Sequence, residues 1–535
     1  MLPNLPPLRR PGLDTDYTLY LVTDSSEAIL GNKDLVDVVE KAIKGGVGIV
    51  QYREKNLETR AMLTMAIKLK QLCHQYNVKF IVNDRVDIAF IAGADGVHLG
   101  QDDMGIKDAR KILGERAIIG ISCTTVEEAL EAVENGANYL GIGAVYATST
   151  KTNVSGIIGI SGVRNIISKV RQTSKHPRHV PCVAIGGLNT TNVQLLRYKS
   201  HAVDGYLEGI AVVSAIIGSE DATVAAKNLK SMFVEAPPWN QLSQYNDCGH
   251  TLEKNDIVSR LAQIAKKTVE IKPVSHNMTN IVVANFAANV IIAAGSSPIM
   301  SMAPEEAAEL ASLGGGLVVN LGSAIPGNLS IFMTAVQAYN KLGGPVLLDP
   351  VAVGATNMRY NMVSTLLNMG HFDIIKGNTS EIQALASGFQ GNQKGVDSVD
   401  DAESEQVDKA ALVSSLARHE HCIVLMTGKT DYLSDGTTTY SIDNGVENLN
   451  SVTGTGCALG SLIVAFVAVH RENKLLATLA AVLFYEIAAE LAQEDPVCKG
   501  PGHFIPCFLD ALRHICGDCK AKNMQWLSRA KFEKI

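Results

Sequence analysis

The sequence predicts an α/β protein with two large domains, a (β/α)8 barrel followed by a layered α/β domain with a mostly parallel sheet. The chain has 535 residues, which is too many for a single hydrophobic core. Its first half alternates short β-branched runs with amphipathic helical stretches eight times, which is typical of a barrel. Its second half separates apolar strands by longer helices, which is typical of a layered domain.

Composition and charge exclude several classes of protein. The net charge is −7, aromatic residues make up 5% and no Lys/Arg-rich run occurs, so nucleic acid is not an expected partner. The first residues, "MLPNLPPLRRPGLDTDY", lack the apolar segment of a secretory signal. The most apolar stretches, "IVVANFAANVIIAAG" and "ALGSLIVAFVAVH", are short or carry asparagine, which indicates buried helices and no membrane contact. Ten irregularly spaced cysteines favour free thiols in a cytoplasmic protein.

The order of elements in residues 1–235 supports the barrel. Stretches such as "TTVEEALEAVENG" show helical spacing of apolar residues and end in Gly or Asn. A doubly wound sheet is the alternative, although it would rarely need eight units. The predicted strands are "YTLYLVTD", "VGIVQYREK", "KFIVNDR", "DGVHLGQDD", "AIIGISC", "YLGIGAVYATSTK", "VPCVAIGG" and "GYLEGIAVVS".

Polar side chains cluster where these strands end. In a barrel, residues at the carboxyl ends of the strands share one rim, and active sites are built there. Any one of these residues could be a solvated loop residue, but five consecutive strand ends with such groups favour a site. They are Gln51, Arg53 and Lys55 after strand two, Asn83 and Asp84 after three, Asp102 and Asp103 after four, Ser122 at five, and Thr148, Thr150 and Lys151 after six.

These residue types indicate a site for phosphorylated substrates. Two carboxylates opposite Arg and Lys suit a Mg²⁺ ion that holds a diphosphate, because Mg²⁺ prefers one or two carboxylates with phosphate oxygens and water. Glycines at the ends of strands seven and eight, such as Gly187 in "AIGG", favour a phosphate monoester bound by backbone N–H groups. The same glycines could instead serve only tight turns.

Seven motifs in the first half, in this order, resemble thiamine-phosphate synthase: "QYREK", "ND", "GADGVHLGQDD", "GIS", "ATSTK", "AIGG" and "GIAVVSAI". The resemblance implies that hydroxymethylpyrimidine diphosphate and a thiazole phosphate are joined with loss of diphosphate. It assigns the pyrimidine diphosphate to Gln51, Tyr52, Arg53, Glu54, Lys55, Asn83, Ser122 and Lys151. It assigns Mg²⁺ to Asp84 and Asp103, and the thiazole phosphate to Thr148, Ser149, Thr150, Gly187, Val213 and Ser214. One departure is the basic stretch "SKVRQTSKHPRHVP", which we interpret as a surface loop without a role.

Residues 236–255 are polar and contain prolines, which predicts a linker before a second domain in residues 256–535.

The second domain has three features suited to phosphoryl transfer. "VTGTGCALGS" places glycines and Cys457 at a helix N-terminus, where backbone N–H groups and the helix dipole can hold an anion. "KGNTSE" places Lys376 and Glu381 beyond a strand, and "MTGKTD" places Thr427 at another strand end. The loop is not a Walker loop, because the G-K-[ST] ending is absent.

The second half resembles hydroxyethylthiazole kinase, a member of the ribokinase-like fold, through "VSHNMTNIVVANFAANVIIAAGSSPIMS", "DPVAVGAT", "KGNTSEI", "TGKTD" and "TGTGC". Sugar kinases of this fold end the loop with Asp as base, whereas the thiazole kinases carry Cys. By this resemblance Met300 and Gly454 contact the hydroxyethylthiazole, and Lys376 and Thr427 contact ATP. Glu381, by its type and its position after a strand, suits a Mg²⁺ ion held through water. Cys457 accepts the proton of the substrate hydroxyl, or is only a buried thiol. A helix N-terminus is expected to lower its pKa.

Both halves together resemble the fungal type of bifunctional thiamine biosynthesis enzyme, in which the kinase product is a synthase substrate. Two alternatives remain: another phosphate-handling barrel fused to a sugar kinase, and a metabolite-binding regulator without catalysis. The missing loop Asp argues against the first. The intact carboxylates and lysines of both sites argue against the second. The kinase resemblance further implies a homo-oligomer with sites between subunits, and it favours a multiple of three.

Overall fold

A computed structural model of the protein describes residues 15–148, 156–173, 179–202, 205–240, 253–323, 325–388 and 408–535. The chain divides into two compact units, and the division falls between Pro237 and Pro238. The first unit is a closed parallel barrel and the second contains a nine-stranded sheet covered by helices. The predicted fold class is therefore confirmed for both halves.

The barrel contains eight parallel strands that pair in chain order, and β1 closes the ring against β8. Most strand residues are buried, because one face fills the barrel and the other packs against the helices. The strands are β1 Leu19–Val22, β2 Ile49–Tyr52, β3 Lys79–Asn83, β4 Gly96–Leu99, β5 Ile118–Cys123, β6 Tyr139–Ile142, β7 Cys182–Ile185 and β8 Gly209–Val212.

Helices connect the strands and cover the barrel. In α6, for example, Thr125 and Glu128 form a capping box, while Ala129, Ala132 and Val133 are buried. The helices are α1 Glu27–Leu30, α2 Leu35–Lys44, α3 Thr59–Gln75, α4 Val86–Ala92, α5 Ile106–Leu113, α6 Val126–Glu134, α7 Gly159–Thr173, α8 Val193–Lys199, α9 Ser214–Ile217 and α10 Ala222–Val234.

The basic stretch before β7 is not simply a surface loop. Helix α7 continues through its first part to Thr173, and residues 174–178 lie outside the described residues. Arg171 Nη2 lies 3.2 Å from Oε1 of the buried Glu208, and His179 also contacts this carboxylate. Glu208 Oε2 accepts the N–H of Cys182 at the start of β7, over 2.7 Å. The prediction of a loop without a role was wrong, because these basic groups neutralise a buried carboxylate that supports β7.

The second unit contains a mixed sheet in the order β10-β9-β11-β12-β13-β14-β15-β16-β17. The strands from β10 to β14 in this order are parallel, and β15, β16 and β17 continue the sheet antiparallel. The strands are β9 Val274–Met278, β10 Ser297–Met300, β11 Gly316–Asn320, β12 Val346–Asp349, β13 Ile374–Asn378, β14 Ile423–Thr427, β15 Asp431–Ser434, β16 Thr439–Ile442 and β17 Phe532–Lys534.

Helices pack on both faces of this sheet and form two hydrophobic clusters. They are α11 Lys254–Ile271, α12 Ala284–Ala293, α13 Ala307–Ser312, α14 Asn328–Lys341, α15 Asn357–Met369, α16 Thr379–Ser387, α17 Lys409–Glu420, α18 Thr455–Val469, α19 Lys474–Glu494 and α20 Pro501–Lys520. Among the described residues one helix, Arg471–Glu494, has the length and apolarity of a membrane span, and it is buried inside the unit.

Two sequence expectations for the second unit need correction. The stretch "IVVANFAANVIIAAG" is not a wholly buried helix, because Ile281 and Val282 precede α12 and are 87% and 70% exposed. The predicted linker is shorter than expected at both ends. Pro238–Asn240 forms a 3-10 turn whose Trp239 ring stacks on His371 at 5.1 Å, and α11 already begins at Lys254.

Candidate active sites

The first candidate site is a cavity of about 870 Å³ at the carboxyl ends of the barrel strands. Two aromatic side chains, Tyr20 and Tyr139, lie at its base, and the strand-end loops form its wall. The cavity brings together twelve of the residues predicted from the sequence: Gln51, Arg53, Lys55, Asn83, Asp84, Asp102, Asp103, Ser122, Thr148, Gly187, Val213 and Ser214.

Opposite charges meet at one side of this cavity. Lys55 Nζ forms an ion pair with Asp84, and Arg53 Nη1 lies 3.2 Å from Oδ2 of Asp24. Asp84 has a left-handed backbone with φ of +59°, a conformation that Asp tolerates better than most residues. Burial raises the pKa of Asp103, and the neighbouring Asp84 carboxylate adds to this effect. Two carboxylates that repel each other in this way favour a bound cation.

The paired carboxylates fit Mg²⁺ in number and type. Within the described ranges, no group of three or more His, Cys, Asp or Glu side chains has a metal-binding arrangement. Two carboxylates suffice for Mg²⁺, which takes its remaining ligands from substrate phosphates and water. Arg53 and Lys55 line the same cavity as these carboxylates.

The glycine-rich side of the cavity suits a phosphate group. Gly187 has a φ of +67°, and a Cβ there would lie 2.5 Å from the carbonyl oxygen of Ala147. Only glycine fits this turn. Backbone N–H groups of such glycine turns are a common means of binding phosphate. Val213 and Ser214 follow β8 on the cavity wall. Ser149, Thr150 and Lys151 lie outside the described residues, so their predicted contacts stay predictions.

Two predicted residues do not line the cavity. The Tyr52 side chain is 1% exposed, and its hydroxyl has no hydrogen-bond partner within the described residues. Because neighbouring strand residues point to opposite faces, Gln51 faces the barrel interior and Tyr52 faces the helices. Glu54 accepts the N–H groups of Lys55 and Asn56, each over 2.8 Å, and thereby stabilises the loop that carries Lys55. We leave Tyr52 and Glu54 out of the site.

Sequence reasoning missed the polar groups inside the barrel. His98 of β4 lines the cavity together with Tyr20 and Tyr139. These residues lie within strands, where an aromatic or histidine side chain is more often part of a core. The available signal was alternation: His98 lies on the interior-facing side of β4, between two apolar neighbours that are buried.

The second candidate site surrounds the N-terminus of α18. Gly454 precedes this helix with a φ of +93°, and a Cβ there would lie 2.8 Å from the Val283 side chain. Both the backbone conformation and the space require glycine. The hydroxyl of Thr455 donates to the carbonyl oxygen of Leu449 over 2.6 Å, which fixes the loop before the helix. The first turn of α18 therefore presents free N–H groups and Cys457.

Cys457 lies in a polar network. Asn280 Nδ2 is 3.8 Å from its Sγ and donates to Asn320 Oδ1 over 3.0 Å. Asn320 Nδ2 in turn donates to Asp349 Oδ2 over 2.9 Å. Burial raises the pKa of Cys457 to about 12, and the Asp349 carboxylate adds to this effect. The expectation of a lowered thiol pKa was therefore wrong, because burial and a nearby carboxylate outweigh the helix dipole.

Asp349 is a central residue of this site that sequence reasoning did not assign. Its Oδ2 lies 3.2 Å from Lys376 Nζ, and its buried Oδ1 has no hydrogen-bond partner among the described residues. Burial disfavours the Lys376 ammonium, but the Asp349 carboxylate outweighs this and raises the pKa of Lys376. The signal in the sequence was an aspartate that ends the apolar run "PVLLD". Its free oxygen makes Asp349 a candidate metal ligand.

Glu381 has a structural role in the same place. Its Oε2 accepts the N–H of Asn378 in a capping box at the start of α16, and its Oε1 accepts the N–H of Ala352. Burial raises its pKa to about 7, and Asp349 contributes to this shift. A carboxylate with both oxygens already bonded to backbone can reach a metal through water, as Mg²⁺ commonly allows.

Thr427 and Met300 end two further strands of the sheet. Thr427 pairs with Asn378 across β14 and β13, and its hydroxyl donates to the carbonyl oxygen of Gly377 over 3.4 Å. The next residue, Gly428, donates its N–H to Asp431 over 2.9 Å, which closes a turn after β14. Met300 ends β10 and packs against the same hydrophobic cluster as Cys457. Met300 and Thr427 thus lie at strand ends, and Gly454 and Cys457 lie at the start of α18. Lys376 was expected beyond a strand but lies within β13, whereas Glu381 follows that strand in α16.

Comparison with known proteins matches each unit to a separate family. The model of the family "Thiamine monophosphate synthase" matches residues 19–216. The model of the "Hydroxyethylthiazole kinase family" matches residues 265–518. The first range covers the barrel strands with their cavity, and the second covers the strand ends and the loop around Cys457.

Two relatives match the chain over nearly its whole length, and a third matches its first half. The protein is 42% identical over 525 residues to the "Probable thiamine biosynthetic bifunctional enzyme" of Schizosaccharomyces pombe, which covers 97% of this chain and 99% of the relative. It is 33% identical over 554 residues to the "Thiamine biosynthetic bifunctional enzyme" of Saccharomyces cerevisiae, covering 97% and 98%. It is 44% identical over 220 residues to the "Thiamine-phosphate synthase" of Clostridium novyi, covering 41% of this chain and 100% of the relative.

Proposed function

The chain belongs to the family of bifunctional thiamine biosynthetic enzymes, and from this premise we propose which residues carry each of its two activities. It is an enzyme with a thiamine-phosphate synthase domain and a hydroxyethylthiazole kinase domain. The kinase phosphorylates hydroxyethylthiazole, and the synthase joins the thiazole phosphate to hydroxymethylpyrimidine diphosphate. The observation that carries this conclusion is that each family model falls on the unit whose site has the matching chemistry.

In the synthase, the cavity wall holds the two substrates on opposite sides. Gln51 and Ser122 contact the pyrimidine, while Arg53, Lys55, Asn83 and Lys151 contact its diphosphate. Thr148, Ser149, Thr150, Gly187, Val213 and Ser214 bind the thiazole phosphate. The cationic and glycine-rich sides of one cavity support this division, since a diphosphate needs charge and a monoester can be held by backbone N–H groups.

In the kinase, the N-terminus of α18 binds the phosphoryl group that is transferred from ATP. Met300 and Gly454 contact the thiazole, Lys376 and Thr427 contact ATP, and Cys457 accepts the proton of the substrate hydroxyl. We add Asp349 to this set, because it bonds Lys376 and raises the pKa of Cys457. Little proton transfer is needed early in a loose phosphoryl transition state, so a weak base can serve.

Both activities use Mg²⁺ in this proposal, with ATP as the co-substrate of the kinase. Asp84 and Asp103 would hold the ion in the synthase. Asp349 would hold it directly in the kinase, and Glu381 through water. When bound, the ion neutralises phosphate charge and orients the phosphate oxygens. Arg53, Lys55 and Lys376 provide the remaining positive charge from the chain itself.

The kinase unit carries an exposed apolar surface beside its site. Ile281 and Val282 are 87% and 70% exposed, and Val283 next to them packs against Gly454. We propose that this surface is covered in a homo-oligomer whose subunit number is a multiple of three, and that the enzyme works in the cytoplasm. Light scattering on the purified chain tests the assembly, and a monodisperse monomer would contradict it.

One reaction mixture tests the function as a whole. The purified chain is incubated with hydroxyethylthiazole, ATP, Mg²⁺ and hydroxymethylpyrimidine diphosphate. Thiamine phosphate is expected only when all four are present, and ready-made thiazole phosphate should replace the first two. Absence of product in the full mixture, with a chain that is folded by circular dichroism, would contradict the proposal.

A further inference from the structure

A chain of hydrogen bonds crosses the barrel interior and connects the two side chains assigned to the pyrimidine. Gln51 Nε2 donates to the Tyr20 hydroxyl over 2.8 Å, and the hydroxyls of Tyr20 and Tyr139 lie 2.7 Å apart. The Tyr139 hydroxyl lies 2.8 Å from His98 Nδ1, and His98 Nε2 lies 2.9 Å from Ser122 Oγ. We call these five residues the barrel relay.

The barrel relay is packed tightly. Gln51, Tyr20 and Tyr139 are at most 4% exposed, and the Tyr139 ring lies 5.7 Å from the Tyr20 ring and 5.5 Å from the His98 ring. Two glycines on neighbouring strands make room for these rings. A Cβ at Gly120 would lie 2.0 Å from the Tyr139 ring, and one at Gly141 would lie 2.9 Å from His98. The rings therefore have little freedom to move.

The direction of each hydrogen bond in the barrel relay depends on the next. Burial raises the pKa of both tyrosines, so each hydroxyl keeps its single proton. With Gln51 as the donor to Tyr20, the arrangement in which every hydroxyl donates along the chain has Tyr20 donating to Tyr139 and Tyr139 donating to His98 Nδ1. The proton of His98 then lies on Nε2 and is donated to Ser122. Gln51 is left with a free carbonyl oxygen, and the Ser122 hydroxyl is left with a free proton.

Reversal would change both ends together. If Ser122 donated to His98, every bond would point the other way, and Tyr20 would donate to the amide oxygen of Gln51. Gln51 would then present N–H and Ser122 a lone pair. An aminopyrimidine offers an N–H donor beside a ring-nitrogen acceptor, which matches the direction that starts from Gln51 as donor. A 4-oxo pyrimidine offers a carbonyl acceptor beside a ring N–H, which matches only the reversed direction.

We propose that the barrel relay sets the specificity of the synthase for an aminopyrimidine over its 4-oxo counterpart, by fixing the donor at Ser122 and the acceptor at Gln51 together. Tyr20, Tyr139 and His98 are positioning residues in this inference. It rests on the proposed function, since Gln51 and Ser122 must contact the pyrimidine. Interrupting the barrel relay at Tyr139 leaves Gln51 and Ser122 in place. The amide of Gln51 and the hydroxyl of Ser122 can then change orientation independently of each other.

The test compares two substrates in the full-length enzyme. kcat/KM is measured with the aminopyrimidine diphosphate and with its 4-oxo counterpart, at saturating thiazole phosphate. We expect Tyr139→Phe to lower the ratio of kcat/KM for the aminopyrimidine to kcat/KM for the 4-oxo substrate at least about tenfold. In the wild type the 4-oxo substrate meets the wrong hydrogen-bonding group at both Ser122 and Gln51, whereas in the variant each side chain can turn to match it. Tyr52→Phe is the matched control: its hydroxyl makes no hydrogen bond within the described residues, and the ratio should be unchanged.

The possible outcomes are distinct. If Gln51→Ala and Ser122→Ala each raise the KM of the aminopyrimidine but Tyr139→Phe keeps the wild-type ratio, the barrel relay has no role in specificity. If those two variants leave the KM unchanged, the pyrimidine site itself is misassigned and the inference falls with it. Should Tyr139→Phe lose its native circular dichroism, Tyr20→Phe interrupts the same chain one bond earlier, and a wild-type ratio there overturns the proposal.

Discussion

The protonation of Cys457 makes a specific prediction for the kinase. Because its pKa is raised to about 12, only about one molecule in 10⁴ carries a thiolate at pH 8, and about one in 10² at pH 10. The pH dependence of kcat/KM reports the ionisation of the free enzyme. If the thiolate accepts the hydroxyl proton, kcat/KM for hydroxyethylthiazole should rise about a hundredfold from pH 8 to pH 10.

The variant Cys457→Ala separates the base from the rest of the site. Its kcat should fall by about 10²–10⁴-fold if proton abstraction contributes fully, and its profile from pH 8 to pH 10 should be flat. ADP formation gives the kinase rate. Synthase activity, measured with ready-made thiazole phosphate, should not change, and Cys498→Ala is the control for loss of a half-buried thiol elsewhere in the unit.

The reasoning would be refuted by a flat wild-type profile combined with a kcat for Cys457→Ala within tenfold of the wild type. That result would mean that positioning and phosphate stabilisation supply nearly all of the rate, as a loose transition state permits. Glu381, with a pKa of about 7, is already about nine-tenths ionised at pH 8 and cannot account for a hundredfold rise. A rise above pH 8 that disappears in Cys457→Ala therefore belongs to the thiol.

Three further predictions follow from the two sites and the division of the chain. Asp84→Ala should abolish diphosphate release by the synthase and leave kinase turnover intact, with Asp108→Ala as an exposed control; a near wild-type rate at saturating Mg²⁺ would remove the metal role. Asp349→Asn should abolish kinase activity and lower the free energy of unfolding by about 3–5 kcal/mol, because Lys376 loses its buried partner; an unchanged urea midpoint would contradict this. A fragment of residues 1–237 should fold and keep synthase activity, whereas a kinase fragment that starts at Lys254 should melt lower than one that starts at Pro238, since it lacks the buried Trp239; equal melting temperatures would show that Trp239 contributes nothing.

The sequence predicted well which side chains lie at the rim of the barrel, because the position of a residue along its strand determines whether it lies there. Side chains after the carboxyl ends of parallel strands must meet at one edge, so Asp84 and Asp103 could be placed together without coordinates. The same rule could have found Asp349, which ends an apolar strand and begins the motif "DPVAVGAT", but the resemblance gave this residue no role. The barrel relay was out of reach for a different reason. Its hydrogen bonds depend on the register of β1, β4 and β6, and no local pattern distinguishes Tyr139 from an ordinary core residue.

Long-range pairing also limited the prediction of the second unit. Strand β17 has three residues and pairs with β16, about ninety positions earlier in the chain. The residues around Phe532 therefore show no local pattern from which a strand could be predicted. The pKa of Cys457 was mispredicted for a similar reason. A helix N-terminus is visible in the sequence, but the carboxylate that opposes its effect belongs to β12, more than one hundred residues away.

The electrostatics of the kinase site explain why a thiol can replace the usual aspartate. Asp349 and Glu381 are both buried, and Lys376 is the cation in direct contact with Asp349. An aspartate at position 457 would add a third buried carboxylate beside Asp349, and each desolvated charge costs several kcal/mol unless it is paired. A protonated Cys457 adds no charge to the free enzyme, so the site stays near charge balance until Mg²⁺ and ATP arrive. We infer that a thiol at position 457 is a weaker base than aspartate but leaves the free enzyme more stable. A reaction with little early proton transfer tolerates the weaker base.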